Sequence, residues 1–580
     1  MPKIDVADGL LERFLGRPID DAELEPLLSC AKAVLDERDL DAGIRRIELN
    51  DTNRPDLWST AGLARQLRAR LGEPLPSYDC FSEPGASLPS QQRVIDVDAG
   101  LKSIRPYIVG FQASGTAVGE ALLVDLIQTQ EKLCWSFGRK RRSIAMGVYR
   151  AGRMRYPIRY VAADPDATSF APLPADEQPP QEMSLRQVLS GHPKGAEFGP
   201  IIAGYDRYPF LVDAAGDALS LPPVINSAGL GAVTPADDDL FVEVTGTDLS
   251  HLLLATAVVA CDLADTGFRI HPVTTRYPYD TPFGREVTAP LAFQVPVRVE
   301  LSYVRRLLGE PVAAADALDS LRRAGVEAEV SGDTLTVRPP PFRNDFLHPV
   351  DVIEEVVIGR GLETFRPALP EDFTAGRLTD VELFSRRARA LMVGLGYEEL
   401  MVSYLGSERD HVERMRAAGD AELDGQVLRI ANPISESYAV VRASSLPSLL
   451  RCEAASAHAV YPHRLFEVGK VARRDAGDDS GTVTRTHLGF LIADGAAGFN
   501  DVNEHLAGLL YYLRIPYRLR ACADRRFAPG RAAEVLVGAD DTRAGVIGEV
   551  HPEALAAWAI QMPCAACELE LETLEAATSS

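Results

Sequence analysis

The tightest local constraint on this chain is the run Asp345-Phe346-Leu347-His348-Pro349-Val350-Asp351-Val352-Ile353-Glu354-Glu355. Pro349 fits the first turn of a helix, where its missing N–H leaves no bond unmade. A helix starting there puts Asp351, Glu354 and Glu355 at i, i+3 and i+4 on one face, and Asp345, just ahead of it, reaches the same face. Four converging carboxylates repel one another unless a cation answers them, and a hard divalent ion with oxygen ligands does so. The same residues also read as an acidic first turn set against the helix dipole. Spacing alone leaves both readings open.

Periodicity divides the 580 residues into four segments, in keeping with about 150 residues per domain. Residues 1–75 read as mostly helical, with a short strand at Ile47–Leu49 and a helix from Thr60 to Leu71 that repeats leucine at Leu63, Leu67 and Leu71. Proline and glycine punctuate Pro74 to Pro89. Residues 90–275 alternate strands with helices as one α/β domain, with strands at Ile108–Phe111 and Val242–Gly246 and helices at Ala121–Leu133 and Ser250–Cys261. Residues 290–368 form a small α+β unit, with alternating strands at Val297–Leu301, Glu327–Val330 and Thr334–Arg338. Residues 370–580 begin with a long helix, Val381–Leu395, and continue as a mixed α+β sheet domain. The expected fold is therefore multidomain α+β.

A formal net charge of -23 excludes a protein that coats nucleic acid nonspecifically. Contact with RNA must come from a local basic face or from a partner chain. One such run exists: Arg139, Lys140, Arg141, Arg142, Arg150, Arg153, Arg155 and Arg159, interleaved with Trp135, Phe137, Tyr149, Tyr156 and Tyr160. Arginine pairs with phosphate and aromatics stack on unpaired bases; a solvated charged face reads the same way. In the strand Val242–Gly246, Glu243 and Thr245 alternate with the valines, so with Thr247 they share one face. The eight cysteines are scattered, and the lone pair Cys564 and Cys567 leads into a strand-like alternation. Buried thiols are expected there rather than zinc or a redox pair. Charged residues interrupt Met1–Gly16 and no run approaches eighteen apolar residues, so neither a secretory signal nor a membrane span is expected. The expected compartment is the cytoplasm.

Arg343-Asn344-Asp345 through Glu354-Glu355-Val356 resembles the metal-binding domain of the larger, non-catalytic subunit of phenylalanyl-tRNA synthetases. Further segments are similar to the same family, in order: Asn53-Arg54-Pro55-Asp56; Glu131-Lys132-Leu133 with Gly138-Arg139-Lys140-Arg141-Arg142; His192-Pro193-Lys194-Gly195; Leu221-Pro222-Pro223 with Asn226-Ser227; Ala431-Asn432-Pro433-Ile434-Ser435-Glu436; and Phe466-Glu467-Val468-Gly469. Length, and the lack of an inserted domain after the first segment, resemble the archaeal and eukaryotic type. The resemblance implies Mg²⁺ on Asp345, Asp351, Glu354 and Glu355. It implies a catalytic alpha subunit as partner, in a complex of two alpha and two beta chains that charges tRNA-Phe. It further implies that the middle domain edits Tyr-tRNA-Phe, with Glu243 and Thr245 reading the tyrosine hydroxyl. The family's archaeal form usually has Asp where Glu243 stands, so this carboxylate reaches one methylene further. The last domain resembles a class II synthetase fold without its ATP-clamping arginine and late Glu-Arg motif, so charging by the isolated chain is not expected. The alternatives are a free-standing editing or tRNA-binding factor, or an inactive scaffold, derived from that subunit.

Overall fold

The structure is a computed structural model that describes residues 2–74, 76–83, 93–175 and 179–578; the Pro74–Pro89 stretch lies partly outside them. The chain divides into two compact units, Met1–Ala368 and Leu369–Ser580.

The first unit opens with a three-stranded antiparallel sheet in which Ile44–Leu49 lies between Lys3–Ala7 and Ala33–Asp39. The sequence reading found only the central strand in a segment expected to be mostly helical. Lys3–Ala7 has five residues and Ala33–Asp39 ends on the charged Asp-Glu-Arg-Asp, so neither offers a long apolar alternation. Helices Asp8–Leu15, Asp21–Leu28 and Thr60–Arg70 accompany the sheet.

The middle of the unit is a mixed ten-stranded sheet. Its strands are β1 (Val94–Val97), β2 (Tyr107–Ser114), β3 (Ile144–Arg150), β4 (Ile158–Ala163), β5 (Tyr208–Val212), β6 (Ala218–Leu221), β7 (Ile225–Asn226), β8 (Asp239–Gly246), β9 (Arg269–Arg276) and β10 (Glu286–Ala289). Across the sheet the order is β7-β6-β5-β4-β1-β9-β2-β8-β3, with β10 on β9. Only β1 runs parallel to its neighbours, β9 and β4. The sheet curls until its two ends meet: Tyr149 Oη on β3 lies 2.8 Å from Ser220 Oγ on β6, and the Arg150 N–H donates to the Leu230 carbonyl at 2.9 Å. Helix Leu249–Asp265 is apolar on nearly every side and buried along most of its length, as a helix enclosed by sheet and neighbours must be.

A second three-stranded sheet follows, with Thr334–Arg338 between Val297–Glu300 and Glu327–Ser331. Helices Leu301–Leu308, Ala314–Arg323 and Pro349–Arg360 accompany it, and Leu335, Val337, Val352, Ile353 and Val356 share its core.

The second unit is built on seven strands, in the order Glu398–Glu399, His463–Arg474, Thr482–Ala493, Cys564–Glu570, Thr542–Val550, Phe527–Val537 and Tyr517–Ala521. Helices Asp380–Gly394 and Phe499–Leu513 cover one face, and Leu446–Ala455 the other. Cys564 and Cys567 sit three apart on one strand and therefore face opposite sides of the sheet, each in a different core. They cannot grip one metal ion, and burial pushes both thiols up.

The Phe466-Glu467-Val468-Gly469 motif has a packing reason. Glu467 is buried and accepts two bonds from the fully buried Arg442, at 2.7 and 3.0 Å. A Cβ on Gly469 would lie 2.2 Å from Arg442 Nη2 and 2.9 Å from Glu467 Oε1. Gly469→Ala should therefore destabilise this unit by about 1–3 kcal/mol, the usual range for overpacking a close-packed site. Urea denaturation followed through Trp558 measures it, and an unchanged midpoint would contradict the packing argument.

Candidate functional site

Two polar centres in the first unit and one in the second bring together chemistry-bearing residues. In the first, Glu243 on β8 lies between glycines, since the register pairs it with Gly110 on β2 and Gly147 on β3. The face expected to carry Glu243 and Thr245 is an interior one: both side chains are buried, and Thr247 alone of the three is exposed. Glu243 Oε1 accepts a bond from Tyr149 Oη at 2.9 Å, while Glu243 Oε2 is buried with no hydrogen-bond partner. Tyr149 Oη also lies 2.8 Å from Ser220 Oγ and 3.4 Å from Asn226 Oδ1. Burial pushes the Glu243 carboxyl up to about 7, and the bond from Tyr149 and the charge of Arg105 offset only part of that. Burial likewise raises the Tyr149 phenol well above its ordinary range, helped by the adjacent Glu243 charge.

Thr245 is tied to Arg105, a fully buried guanidinium that sequence reasoning missed. Arg105 Nε donates to Thr245 Oγ1 at 3.0 Å and Nη2 to the Thr245 carbonyl at 2.6 Å. Its Nη1 donates to the carbonyls of Arg141 and Arg142 at 3.3 and 3.2 Å. A lone arginine between Ile104 and Pro106 gives no signal of this. Arg105 thus fastens the Glu243 strand to the basic turn.

That turn is unusual in its backbone. Arg139, Lys140 and Arg141 have φ of 51°, 56° and 64°, three consecutive non-glycine residues in the left-handed region, at a cost of about 1–2 kcal/mol each. The expected basic run divides. Arg139, Lys140, Arg142, Arg153, Arg155 and Arg159 are exposed. Arg141 turns inward, donating to the Pro223 and Val224 carbonyls at 3.2 and 3.0 Å and lying over the Phe198 ring. Arg150 pairs with Asp237 at 2.9 Å. Of the interleaved aromatics, Trp135 is half exposed with Lys140 Nζ 5.0 Å from its ring centre, whereas Tyr149 and Tyr160 are buried.

The second centre is the acidic segment. Helix Pro349–Arg360 starts at Pro349 as expected, but every one of the four carboxylates is answered from within the chain, Asp345 and Glu355 by a shared arginine. Arg343 Nε and Nη2 hold Asp345 at 3.0 and 2.5 Å, and Nη2 also holds Glu355 at 2.7 Å. Asp351 Oδ2 accepts the Leu347 and His348 N–H groups at 2.7 and 2.6 Å. Glu354 is exposed and pairs with Lys32 at 2.7 Å, which also holds Asp51 at 2.8 Å. Burial opposes ionisation of Asp345, yet the Arg343 charge and hydrogen bonds outweigh it and hold the carboxyl below its usual range. Among the described residues no group of three or more His, Cys, Asp or Glu is disposed around one point as a metal cage. The donor chemistry nevertheless suits a hard cation, and Glu355 Oε2 is buried without a hydrogen-bond partner. Arg343 and Lys32 supply here the positive charge that four acids demand.

The third centre is a cavity of about 460 Å³ in the second unit, lined by Arg473, His487, Arg526 and Glu568 among others. These residues are bonded to one another. A guanidinium only donates, so His487 Nε2 accepts from Arg473 Nη2 at 2.7 Å and its Nδ1–H donates to Glu568 Oε1 at 3.0 Å. Arg526 grips Asp524. Both arginines are already committed to partners within the chain.

Comparison with known proteins places these centres in a family. The model of the phenylalanyl tRNA synthetase beta chain CLM domain matches residues 367–571, and that of the tRNA synthetase B5 domain matches residues 297–362. The phenylalanine–tRNA ligase beta subunit of Treponema pallidum subsp. pallidum is 43% identical over 613 residues, covering 99% of this chain and 100% of that protein. The corresponding subunit of Borrelia recurrentis is 42% identical over 575 residues, again covering 99% and 100%. The crystal structure of an N-terminal fragment of the phenylalanyl-tRNA synthetase beta subunit from Pyrococcus horikoshii is 36% identical, with a TM-score of 0.57, and covers 62% of this chain and 99% of the fragment. With this identity sustained from end to end, the chain belongs to the phenylalanyl-tRNA synthetase beta-subunit family.

Proposed function

We propose that this chain works as the non-catalytic half of a phenylalanine–tRNA ligase, with two copies joining two catalytic alpha subunits in the cytoplasm to charge tRNA-Phe. The full-length identity to named beta subunits carries this reading. The second unit supports it in two ways. Arg473 and Arg526, which line its cavity, are bonded within the chain rather than left free for a nucleotide. It also exposes large apolar side chains, with Met401 at 98% and Ile434 at 100% exposure, the kind of residue that a partner interface covers. The isolated chain should give no ATP–pyrophosphate exchange, and co-expression with an alpha subunit should give an active four-chain complex. Met401→Asp combined with Ile434→Asp should weaken that assembly at least tenfold without lowering thermal stability. Exchange activity in the isolated chain would overturn the assignment.

The middle sheet is proposed to hydrolyse Tyr-tRNA-Phe. An apolar pocket rejects an added hydroxyl poorly, so a second site that needs the hydroxyl raises fidelity. Glu243 suits that task, because a buried carboxylate gains from a phenol donor and is left unpaired by a phenyl ring. Arg139, Lys140, Arg142 and Trp135 offer phosphate and stacking contacts to the tRNA end. With preformed Tyr-tRNA and Phe-tRNA and the assembled enzyme, Glu243→Ala should reduce the preference for Tyr-tRNA on the order of ten- to hundredfold, the worth of a hydrogen bond to a charged group. An unchanged preference would remove Glu243 from the site.

Asp345, Asp351, Glu354 and Glu355 are proposed to hold Mg²⁺. Their hard oxygen donors and the unpartnered Glu355 Oε2 favour it. An ion there would take over from Lys32 on Glu354 and share the charge of Asp345 and Glu355 that Arg343 now chiefly meets.

A further inference from the structure

We propose that Tyr149 is a resident competitor in the middle-domain site, its phenol occupying on Glu243 the position that the hydroxyl of a tyrosyl substrate takes. The inference rests on the editing reading above and names the residue that competes with the substrate there.

The geometry is specific. Tyr149 and Gly147 are two apart on β3 and share a face, and the register sets Gly147 opposite Glu243. A Cβ on Gly147 would lie 2.1 Å from Tyr149 Oη and 2.7 Å from Glu243 Oε1. The absent side chain at Gly147 is therefore what lets the phenol lie back along the strand and reach the carboxylate. The extra methylene of Glu243, compared with an aspartate, extends it toward the same point.

The phenol also bridges the seam of the curled sheet. Ser220 and Asn226, its other neighbours, belong to β6 and β7 at the far end of the strand order from β3. No ladder of backbone bonds joins β3 to β7 among the described residues. The seam is held by the Arg150 N–H on the Leu230 carbonyl at 2.9 Å, by Asn226 Nδ2 on the Val148 carbonyl at 3.4 Å, and by the Tyr149 contacts. The ring can thus withdraw from Glu243 without dismantling a strand pairing.

The exchange conserves hydrogen bonds in kind. Tyr149 has one O–H to donate, and Glu243 takes it; a tyrosyl substrate brings the same O–H to Glu243. A phenylalanyl substrate brings none, and displacing Tyr149 for it would leave a buried carboxylate unpaired. The resident phenol thus keeps the site satisfied when empty and admits a side chain that restores its bonds.

The test uses the enzyme assembled with its catalytic subunit and preformed Tyr-tRNA and Phe-tRNA. Tyr149→Phe removes the bond that holds the competitor on Glu243, so kcat/KM should rise about tenfold through KM for Tyr-tRNA and by a like factor for Phe-tRNA, the ratio set by Glu243 being kept. Ser220→Ala keeps the ring, removes one bond to the phenol and should act in the same direction by a smaller factor, which guards against misfolding of the first variant. A merely structural role would lower hydrolysis of both substrates. That result, or an unchanged KM for Tyr-tRNA in both variants, overturns the proposal. Equal hydrolysis of the two substrates by the unaltered enzyme overturns instead the editing reading, and the proposal with it.

Discussion

Replacing Arg343 by alanine is expected to destabilise the first unit by about 3–5 kcal/mol, the cost of breaking a buried ion pair from one side. Arg343 is 2% exposed and is the principal answer to the charge of both Asp345 and Glu355. Arg54 stands 4.0 Å from Glu355 and is already committed to Asp56, so it cannot replace the missing bonds. The guanidinium also lies 4.4 Å from the centre of the Phe346 ring, and alanine cannot stack there. Lysine at 343 should recover little, since it lacks the planar fork that serves two carboxylates at once. Denaturation followed through Trp58, buried in this unit, measures the loss. The same variant tests the magnesium proposal. With Asp345 and Glu355 uncompensated, millimolar Mg²⁺ should restore part of the stability and EDTA should remove it, while the unaltered chain responds less. Identical behaviour of the two chains toward Mg²⁺ would dispose of a cation on these acids.

The second large effect concerns pH. Glu243 has an ordinary carboxyl value of 4.5 that burial raises to about 7 in the folded chain. Between those values the folded state holds a proton that the unfolded state has released, so stability falls as pH rises. The contribution is fully present below about 4.5 and is gone once pH passes about 7. At about 1.4 kcal/mol per unit, the swing is about 3 kcal/mol. Glu243→Gln keeps the shape and removes the titration. The stability difference between the unaltered chain and this variant should therefore shift by about 3 kcal/mol from pH 4.5 to pH 8, in favour of the variant. Other groups that titrate in this window, such as His271, are common to both chains and cancel. A flat difference would mean that Tyr149 and Arg105 already compensate the buried charge.

These residues also show how far the sequence could be read. The period-two alternation placed Glu243 and Thr245 on one face, because strand geometry makes that a local property. What that face meets is not local: Tyr149 comes from 94 positions away and Ser220 from the far end of the sheet. The burial of both side chains shows that this face looks into the fold and not to solvent. For the acidic segment the missing signal was in plain view. Arg343 stands two residues before Asp345 in the quoted motif, the nearest cation to four acids in search of one; Lys32, more than 300 residues away, could not have been found. Similarly, the charge of the 139–159 run was legible, but not that Arg141 and Arg150 would turn to partners within the fold. In the second unit the period-two rule was sufficient to separate Cys564 from Cys567.

The left-handed turn at Arg139, Lys140 and Arg141 bears on what a redesign can change. A chain shaped for stability alone would carry glycine there, because glycine adopts these angles freely and the three basic side chains do not. Strained positions persist where the surrounding structure forces them and cluster where a protein works. Here the forcing element is Arg105, which holds the turn's carbonyls from beneath with the same guanidinium that grips Thr245. Arg139 and Lys140 thus hold their exposed side chains out against their own backbone preference. A thermostabilising redesign that placed glycine in the turn would trade away the exposed charges of Arg139 and Lys140.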